Sequence, residues 1–515
     1  MGRLTRLALG LSLLLQCFLA AAIEFPLPET NFEPAKMPMY LVYPRPDTET
    51  GVHARHRWAH PQMRYEIPVG IQGGAWPFKY ELIEAPSGSA IGSLYGDDNY
   101  GVVSWTPPAS GTHTFKVRVT DQELNTIDVT WQTTVDADKF LFIQDGWAGE
   151  KVGTIDKPLE DLSDWYKGDQ NDDTYHNKIV VIRGGQYTMI GAAESNNNVR
   201  LDSSSKTQSL IGFPDETPVV DSSNAKIFGD SSGSNDVFIG GIRFEHSRQD
   251  VNNAHFFWMV GDVNRATWWN NYFYDHGPGQ VGNDNTTAVF ISNKDEPKQH
   301  VLYKHNTHDE FRNSGGNGSY IDIYGTSYVL IEENIAKNST TDNGFWMKGT
   351  TAFVTVRANQ AWENISGGQM TVGYGNESVS LTHDHEICWN RIKLDAGSGS
   401  NSLLFAMSNA YGGQTYNSFI YRNTFVNGKA WVRFPGKENY KVDANIVISN
   451  DLAKWDTGIM TTVNSNITGS TSSGIVDDNG LLTGQYRQDN LGLKGHEISD
   501  TEVKRPKKPE SVIVQ

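Results

Sequence analysis

Cysteine is almost missing from this chain of 515 residues, which has only Cys17 and Cys388. A framework of internal disulfides is therefore excluded, and the fold must rest on its apolar core. Proline, at 20 residues, is too sparse for a proline-rich or collagen-like chain. Charged residues make up 20%, hydrophobic residues 38%, and the mean hydropathy is -0.48. Those values exclude both a multi-span membrane protein and a mostly disordered one. Basic side chains are outnumbered 43 to 60, giving a formal charge of -17, so the basic field that a nucleic-acid partner needs is lacking. Glycine is plentiful at 50 residues, which points to many turns and little long helix.

Met1 to Ala22 carries Arg3 and Arg6, an apolar run from Leu7 to Leu19, and then Ala20-Ala21-Ala22. This three-part pattern reads as an export signal, so the mature protein is expected outside the cytoplasm, extracellular or periplasmic, with Cys388 as its one cysteine. A proline-rich arm (23–62) precedes a stretch from about 63 to 137 in which apolar and polar residues alternate between Gly and Pro turns, the pattern of a small antiparallel sandwich. Gly74-Ala75-Trp76-Pro77-Phe78, Val103-Ser104-Trp105-Thr106-Pro107 and Phe115 through Asp121 resemble the immunoglobulin-like or cadherin-like modules of secreted bacterial enzymes and surface proteins. That resemblance implies a fold and no chemistry. At the far end, 484–515 turns polar and closes on Lys504-Arg505-Pro506-Lys507-Lys508-Pro509, a loose tail.

Between them, 138–483 is self-similar. Apolar strands end in Gly241, Asn271, Asn306, Asn334, Asn359, Asn390 and Asn423, at intervals of roughly 30 residues. A second strand column interleaves with them: Phe256 to Gly261, Ala288 to Asn293, Tyr320 to Gly325, Phe345 to Gly349, Met370 to Gly375, Leu403 to Ser408 and Trp431 to Gly436. Two or three short strands per repeat predict a parallel β-solenoid, with the recurrent Asn forming a ladder at one turn. A propeller or ordinary sandwich would need frequent tight hairpin signals, and few Asn-Gly or Asp-Gly pairs occur. Gly153 to Leu159, followed by Leu162 and Trp165, reads as a turn into a short amphipathic helix that plugs the open end. This opening resembles the start of right-handed β-helix proteins of the pectate-lyase superfamily. The expected fold is all-β, a right-handed parallel β-helix preceded by a small antiparallel β-sandwich.

Stacked coils set equivalent residues side by side, so a ladder on one column makes a groove for a linear polymer. Just before the closing Gly of the second column stand Tyr324, Lys348 and Tyr374, with Asp322 and Trp346 two residues back on the same face. A Lys among aromatics can act as a base, and a Tyr can give or take a proton. This pair suits abstraction of the proton α to a uronate carboxyl group and protonation of the leaving oxygen. Arg357 and Arg433 are candidates to neutralise that carboxylate. The expected assignment is therefore catalytic Lys348 (base), Tyr374 (acid), Arg357 and His383, with Asp322, Tyr324, Trp346, His385 and Arg433 contacting an anionic polysaccharide.

Asp342 to Gly349, followed by Gly368 to Gly375, resembles the active-site coils of alginate and chondroitin β-helix lyases, polysaccharide lyase family 6. The resemblance implies a Lys base, an Arg acid on the next coil, and calcium (Ca2+) held by glutamates before the Lys. Lys348 matches; Gly373 or Tyr374 falls where the Arg should be, and Thr341 and Asn343 fall where the glutamates should be. Calcium is thus the one cofactor in view, without an assigned ligand set. His383-Asp384-His385-Glu386 offers two histidines on one strand face, with His276, His305 and His308 as further acid-base candidates. Trp258, Trp268, Trp269 and Trp362 are candidates to stack on sugars. Two rival readings stay open. Asp322, Asp342 and Asp384 could serve a β-helix glycoside hydrolase. A non-catalytic glycan-binding or adhesin solenoid is the other. A monomer is expected, without a membrane span.

Overall fold

The computed structural model describes residues 34–92, 101–165, 175, 177–189, 198–201, 209–222, 226–229, 234–247, 255–261, 263–276, 287–292, 298–311, 318–364, 366–374, 381–394, 403–405, 414–426, 429–430, 440–443, 446–448, 462–464 and 467–469. The export signal, the C-terminal tail and Arg433 lie outside them. Among the described residues, no helix is long and apolar enough to cross a membrane.

Strict alternation builds the sandwich. In Gly111–Thr120, Phe115, Val117 and Val119 turn inward while Lys116 and Arg118 turn out, and the strand pairs antiparallel with Thr126–Val135 along its whole length. Lys79–Glu84 and Trp58–Ala59 complete a four-stranded sheet, so the sandwich also takes in residues before Met63. Facing it is a three-stranded sheet of Tyr65–Pro68, Val102–Trp105 and Ala90–Gly92. Tyr65, Phe115 and Trp131 stack in the core at 5.5 and 5.2 Å. The buried Tyr65 hydroxyl accepts from Trp131 Nε1 (2.8 Å) and donates to the His56 carbonyl (2.7 Å), which offsets the cost of burying it.

The rest is a parallel β-helix. Among the described residues, the coils from Ile179–Ile182 through Ser366–Tyr374 visit a twelve-stranded, an eleven-stranded and a seven-stranded sheet in turn, as in Ile179–Ile182, Gly185–Thr188 and Asn198–Arg200, followed by Ser209–Gly212 back in the first sheet. A helical turn over 162–165 places Leu162 and Trp165 against Leu141 and Ile143 at the first coil. The Asn ladder forms at the corner between the first two sheets. Asn334 Nδ2 donates to Tyr303 O and to Asn359 Oδ1, both at 2.9 Å, while its own Oδ1 accepts from the backbone N (2.8 Å) and Nδ2 (3.1 Å) of Asn306. Asn271, Asn306, Asn334, Asn359, Asn390 and Asn423 link successive coils in this way. The residue before each rung takes a left-handed conformation that turns the corner, for example Asn270, His305, Glu333 and Ala358. Asn334→Ala is expected to cost about 2 kcal/mol, because it removes partners from buried donors and acceptors on the two neighbouring coils. Urea denaturation reads this directly.

The seven-stranded sheet ends at Ser366–Tyr374, and Leu403–Phe405 pairs instead with Lys429–Ala430 in a separate two-stranded sheet. Leu403–Phe405 lies against Ser366–Tyr374, so among the described residues the second column continues past the end of the seven-stranded ladder.

The arm and sandwich lie on the outer face of the twelve-stranded sheet. Tyr40–Tyr43 pairs with Gly70–Gln72, Val42 packs on Leu302 and Leu330, and Met63 and Val102 join Phe140, Phe142, Val181 and Trp269. Four histidines occupy this seam: His53, His56, His60 and His300. His60 stands edge-on to Phe140 and Phe142, and His300 bonds the Tyr40 hydroxyl at 2.8 Å. Burial pushes all four down, His60 to about 4 and His300 to about 3. Asp236 faces His53, Asp47 faces His56 and Asp156 faces His60, opposing the shift. Arg265, Arg57 and Arg45 reinforce it. The folded state holds these rings neutral while the unfolded chain protonates them near 6.5, so unfolding takes up protons. Stability is full above that value and falls as pH drops toward 4. His60→Asn is expected to flatten the decline by up to about 1 kcal/mol per pH unit, read from denaturation midpoints across that window.

Candidate functional site

The seven-stranded sheet carries the groove-forming column. Val289, Ile291, Ile321, Ile323, Phe345 and Met347 point into the helix core, so alternation puts Phe290, Asp322 and Trp346 on the outer face. Backbone pairing sets two rows across successive coils. One runs Trp258, Phe290, Asp322, Trp346, Thr371, and the other Val260, Ser292, Tyr324, Lys348, Tyr374. Between Met347 and Lys348 the register shifts by a bulge, which brings Lys348 opposite Tyr374 rather than Gly373. For Lys348 and Tyr374 the description covers the backbone and not the side chains. Asp322 and Trp346 sit deep in this face, 2% and 5% exposed, while Trp258, Phe290 and Tyr324 are partly exposed. His255 stacks on Phe290 (5.3 Å), and Phe290 lies 5.6 Å from Tyr324.

Two expected site residues are elsewhere. Arg357 belongs to the twelve-stranded sheet and is fully buried beneath the sandwich. Its Nε and Nη2 bond Glu332 Oε1 at 2.8 and 2.5 Å, and Nη1 and Nη2 donate to the carbonyls of Gly73 (3.1 Å) and Ile71 (2.6 Å). A guanidinium so enclosed cannot meet a substrate carboxylate, and its role as neutraliser is withdrawn. His385 is also fully buried, between Thr351 (3.4 Å) and Ser418 (3.5 Å), and burial pushes it down to about 3. It is a core histidine, not a substrate contact.

His383 keeps some exposure, at 23%. Its Nδ1 meets Asp384 Oδ2 at 2.5 Å, and Asn417 Nδ2 donates to Asp384 Oδ1 at 3.1 Å. The pair lies on Leu381–Cys388 of the twelve-stranded sheet, one corner past the Tyr374 strand, so Asp384 does not join Asp322 on one face. His276 and His308 pack in the core, where His308 Nε2 meets the Tyr303 hydroxyl at 2.6 Å, and His305 pairs with Glu333. Trp268 is core, Trp269 lies in the sandwich seam, and the Trp362 side chain is outside the described residues. Phe290 was not singled out from the sequence, although it stands in the second column at the position equivalent to Asp322 and Trp346.

The calcium implied by the family resemblance finds no support here. The matching positions hold a hydroxyl and an amide, Thr341 and Asn343, and among the described residues no cluster of three or more His, Cys, Asp or Glu could hold a metal.

The chain is a parallel β-helix protein with an N-terminal sandwich. No family profile and no curated protein matches its sequence. Among solved structures it is similar to the family 28 exopolygalacturonase of Yersinia enterocolitica, over 80% of this chain and 96% of that one, at 8% identity and a TM-score of 0.34. A likeness at that level carries no argument about chemistry.

Proposed function

We propose that this protein is an exported polysaccharide-degrading enzyme that works on the outer face of its seven-stranded sheet, cleaving a uronate-containing chain by β-elimination. The observation behind this reading is the register that puts Lys348 beside Tyr374 and next to Asp322, Tyr324 and Trp346 on neighbouring coils. In this mechanism Lys348 takes the proton α to the uronate carboxyl group. The electron pair left behind forms a carbon–carbon double bond, the bond to the β-oxygen breaks, and Tyr374 protonates that oxygen as it leaves. Tyr324, partly exposed, offers a ring face to the sugar, Asp322 and Trp346 lie buried beneath that face and shape it, and Arg433, outside the described residues, is the remaining candidate to neutralise the carboxylate. His383 flanks this groove from the next corner as a secondary proton-transfer group.

The hydrolase reading keeps Asp322 and Asp342 and loses Asp384 to the other sheet. Incubating the protein with a panel of anionic and neutral polysaccharides separates the two. Ultraviolet absorbance of unsaturated uronate ends, rising with reducing ends, supports elimination. Reducing ends alone overturn elimination in favour of hydrolysis, and neither signal overturns the enzymatic reading for that panel.

A further inference from the structure

Three buried histidines stand on three successive coils at the corner where the eleven-stranded sheet turns into the seven-stranded one. His255 begins His255–Val260, His276 follows Tyr272–Tyr274, and His308 lies in Thr307–Asp309. His276 is wedged between Phe256 (4.8 Å) and Phe311 (4.3 Å), and among the described residues neither of its ring nitrogens has a hydrogen-bond partner. His308 lies against Phe273 (5.0 Å) and Tyr320 (4.7 Å), with Nε2 on the Tyr303 hydroxyl and no partner for Nδ1. The titratable groups around His276 are His255 and His308, and those around His308 are Tyr303 and Tyr320. Among the described residues no carboxylate acts on either ring, whereas His53, His56 and His60 in the seam each have one. A phenyl ring would fill the place of His276 without stranding two polar atoms, so what the imidazole adds there is a group that can take up a proton. Burial pushes both rings below 6.5, His308 to about 3, and the closed corner holds them neutral. The corner also touches the groove. His255, close enough to act on the charge of His276, stacks on Phe290 (5.3 Å), which lies 5.6 Å from the partly exposed Tyr324.

We propose that His276 and His308 form an acid-operated latch beneath the groove: neutral, they close the corner, and charged and hydrated they hold it open, displacing Phe290 and Tyr324 and shutting the site while the sandwich stays folded. The groove's part in catalysis rests on the elimination reading, and the latch rests on the buried cluster. An open corner takes up protons near 6.5, so closure is fully favoured above that value and weakens as pH falls toward about 3. Each histidine that charges on opening multiplies the open population by about tenfold per pH unit in that window, and two multiply it by about 100-fold.

The test is hydrogen exchange of the full chain, read by mass spectrometry and corrected for the intrinsic effect of pH, comparing peptides over 255–276 and 287–311 with 111–135 of the sandwich. Over one unit of pH below about 6 the corner is expected to open about 100-fold more, while the sandwich keeps its protection. His276→Phe lowers that rise to about tenfold. His276→Gln, uncharged at every pH, gives the same reduction and serves if the phenyl variant does not fold. A corner that opens together with the sandwich, or that keeps its full slope in the folded variants, overturns the latch. If the corner behaves as expected while the unsubstituted protein releases no unsaturated product from any polymer, the latch stands and the elimination reading fails. Turnover that declines with acid at the same pH in the unsubstituted protein and both variants does the reverse.

Discussion

Arg357→Ala is expected to destabilise the protein by about 3–5 kcal/mol, a large part of the roughly 5–15 kcal/mol that holds a folded domain together. The side chain is fully buried, and its ligands come from both halves of the molecule: Glu332 from the β-helix, the carbonyls of Ile71 and Gly73 from the N-terminal half. Its guanidinium also lies 4.6 Å from the Phe78 ring centre. Truncation leaves two buried carbonyls without this donor, and Glu332 keeps Lys304, at 2.7 Å, as its remaining ion-pair partner. Burying an ion pair gains little over an apolar pair of the same shape, but removing Arg357 leaves Lys304 shared between Glu332 and Glu333, an excess of negative charge in a low-dielectric seam. Arg357→Lys should recover little, since an ammonium cannot span a carboxylate and two carbonyls at once. Denaturant unfolding measures the loss. A change below about 1 kcal/mol would show that the seam is open to water and that the network is not what docks the sandwich.

The second large effect falls on turnover. Lys348→Ala is expected to lower the rate of unsaturated-product release by about 10²- to 10⁴-fold, the usual worth of a positioned general base, while leaving the thermal midpoint nearly unchanged. Tyr374→Phe removes one hydroxyl with little change of shape and should lower the same rate, with its largest effect on polymers whose leaving oxygen is least acidic. If Lys348→Ala unfolds the protein, or folds and turns over normally, Lys348 is not the base.

Much of this architecture was legible before any coordinates, for a physical reason that holds coil by coil. A rung such as Asn334 needs an amide at one position of each repeat, because only an amide both donates to the coil on one side and accepts from the other. That requirement is local, repeats with the coil, and shows as a recurring letter. The pairing of Tyr324 with Lys348 followed from the same periodicity, since strands in register bring equivalent positions together. The bulge that brings Tyr374 opposite Lys348 is not periodic, but it precedes Lys348, so each residue still stands directly before the glycine that closes its strand in the sequence, Gly349 and Gly375.

Arg357 shows where periodicity stops. By alternation it points out of the coil, and a strand pattern reads it as surface. Only the docking of the arm and sandwich decides that the outer face of one sheet becomes interior and its arginine, glutamates and histidines become seam. His385 is hidden for a different reason: it pairs in register with the core residue Val354, and the left-handed Asp384 breaks its alternation with the partly exposed His383, so it turns inward between Thr351 and Ser418. One-dimensional pattern carries the repeat, the ladder and the faces, because each is set within a coil or between neighbours. Which face stays open is decided by contacts between residues more than 200 positions apart, such as Arg357 with Gly73, and those exist only in the folded chain.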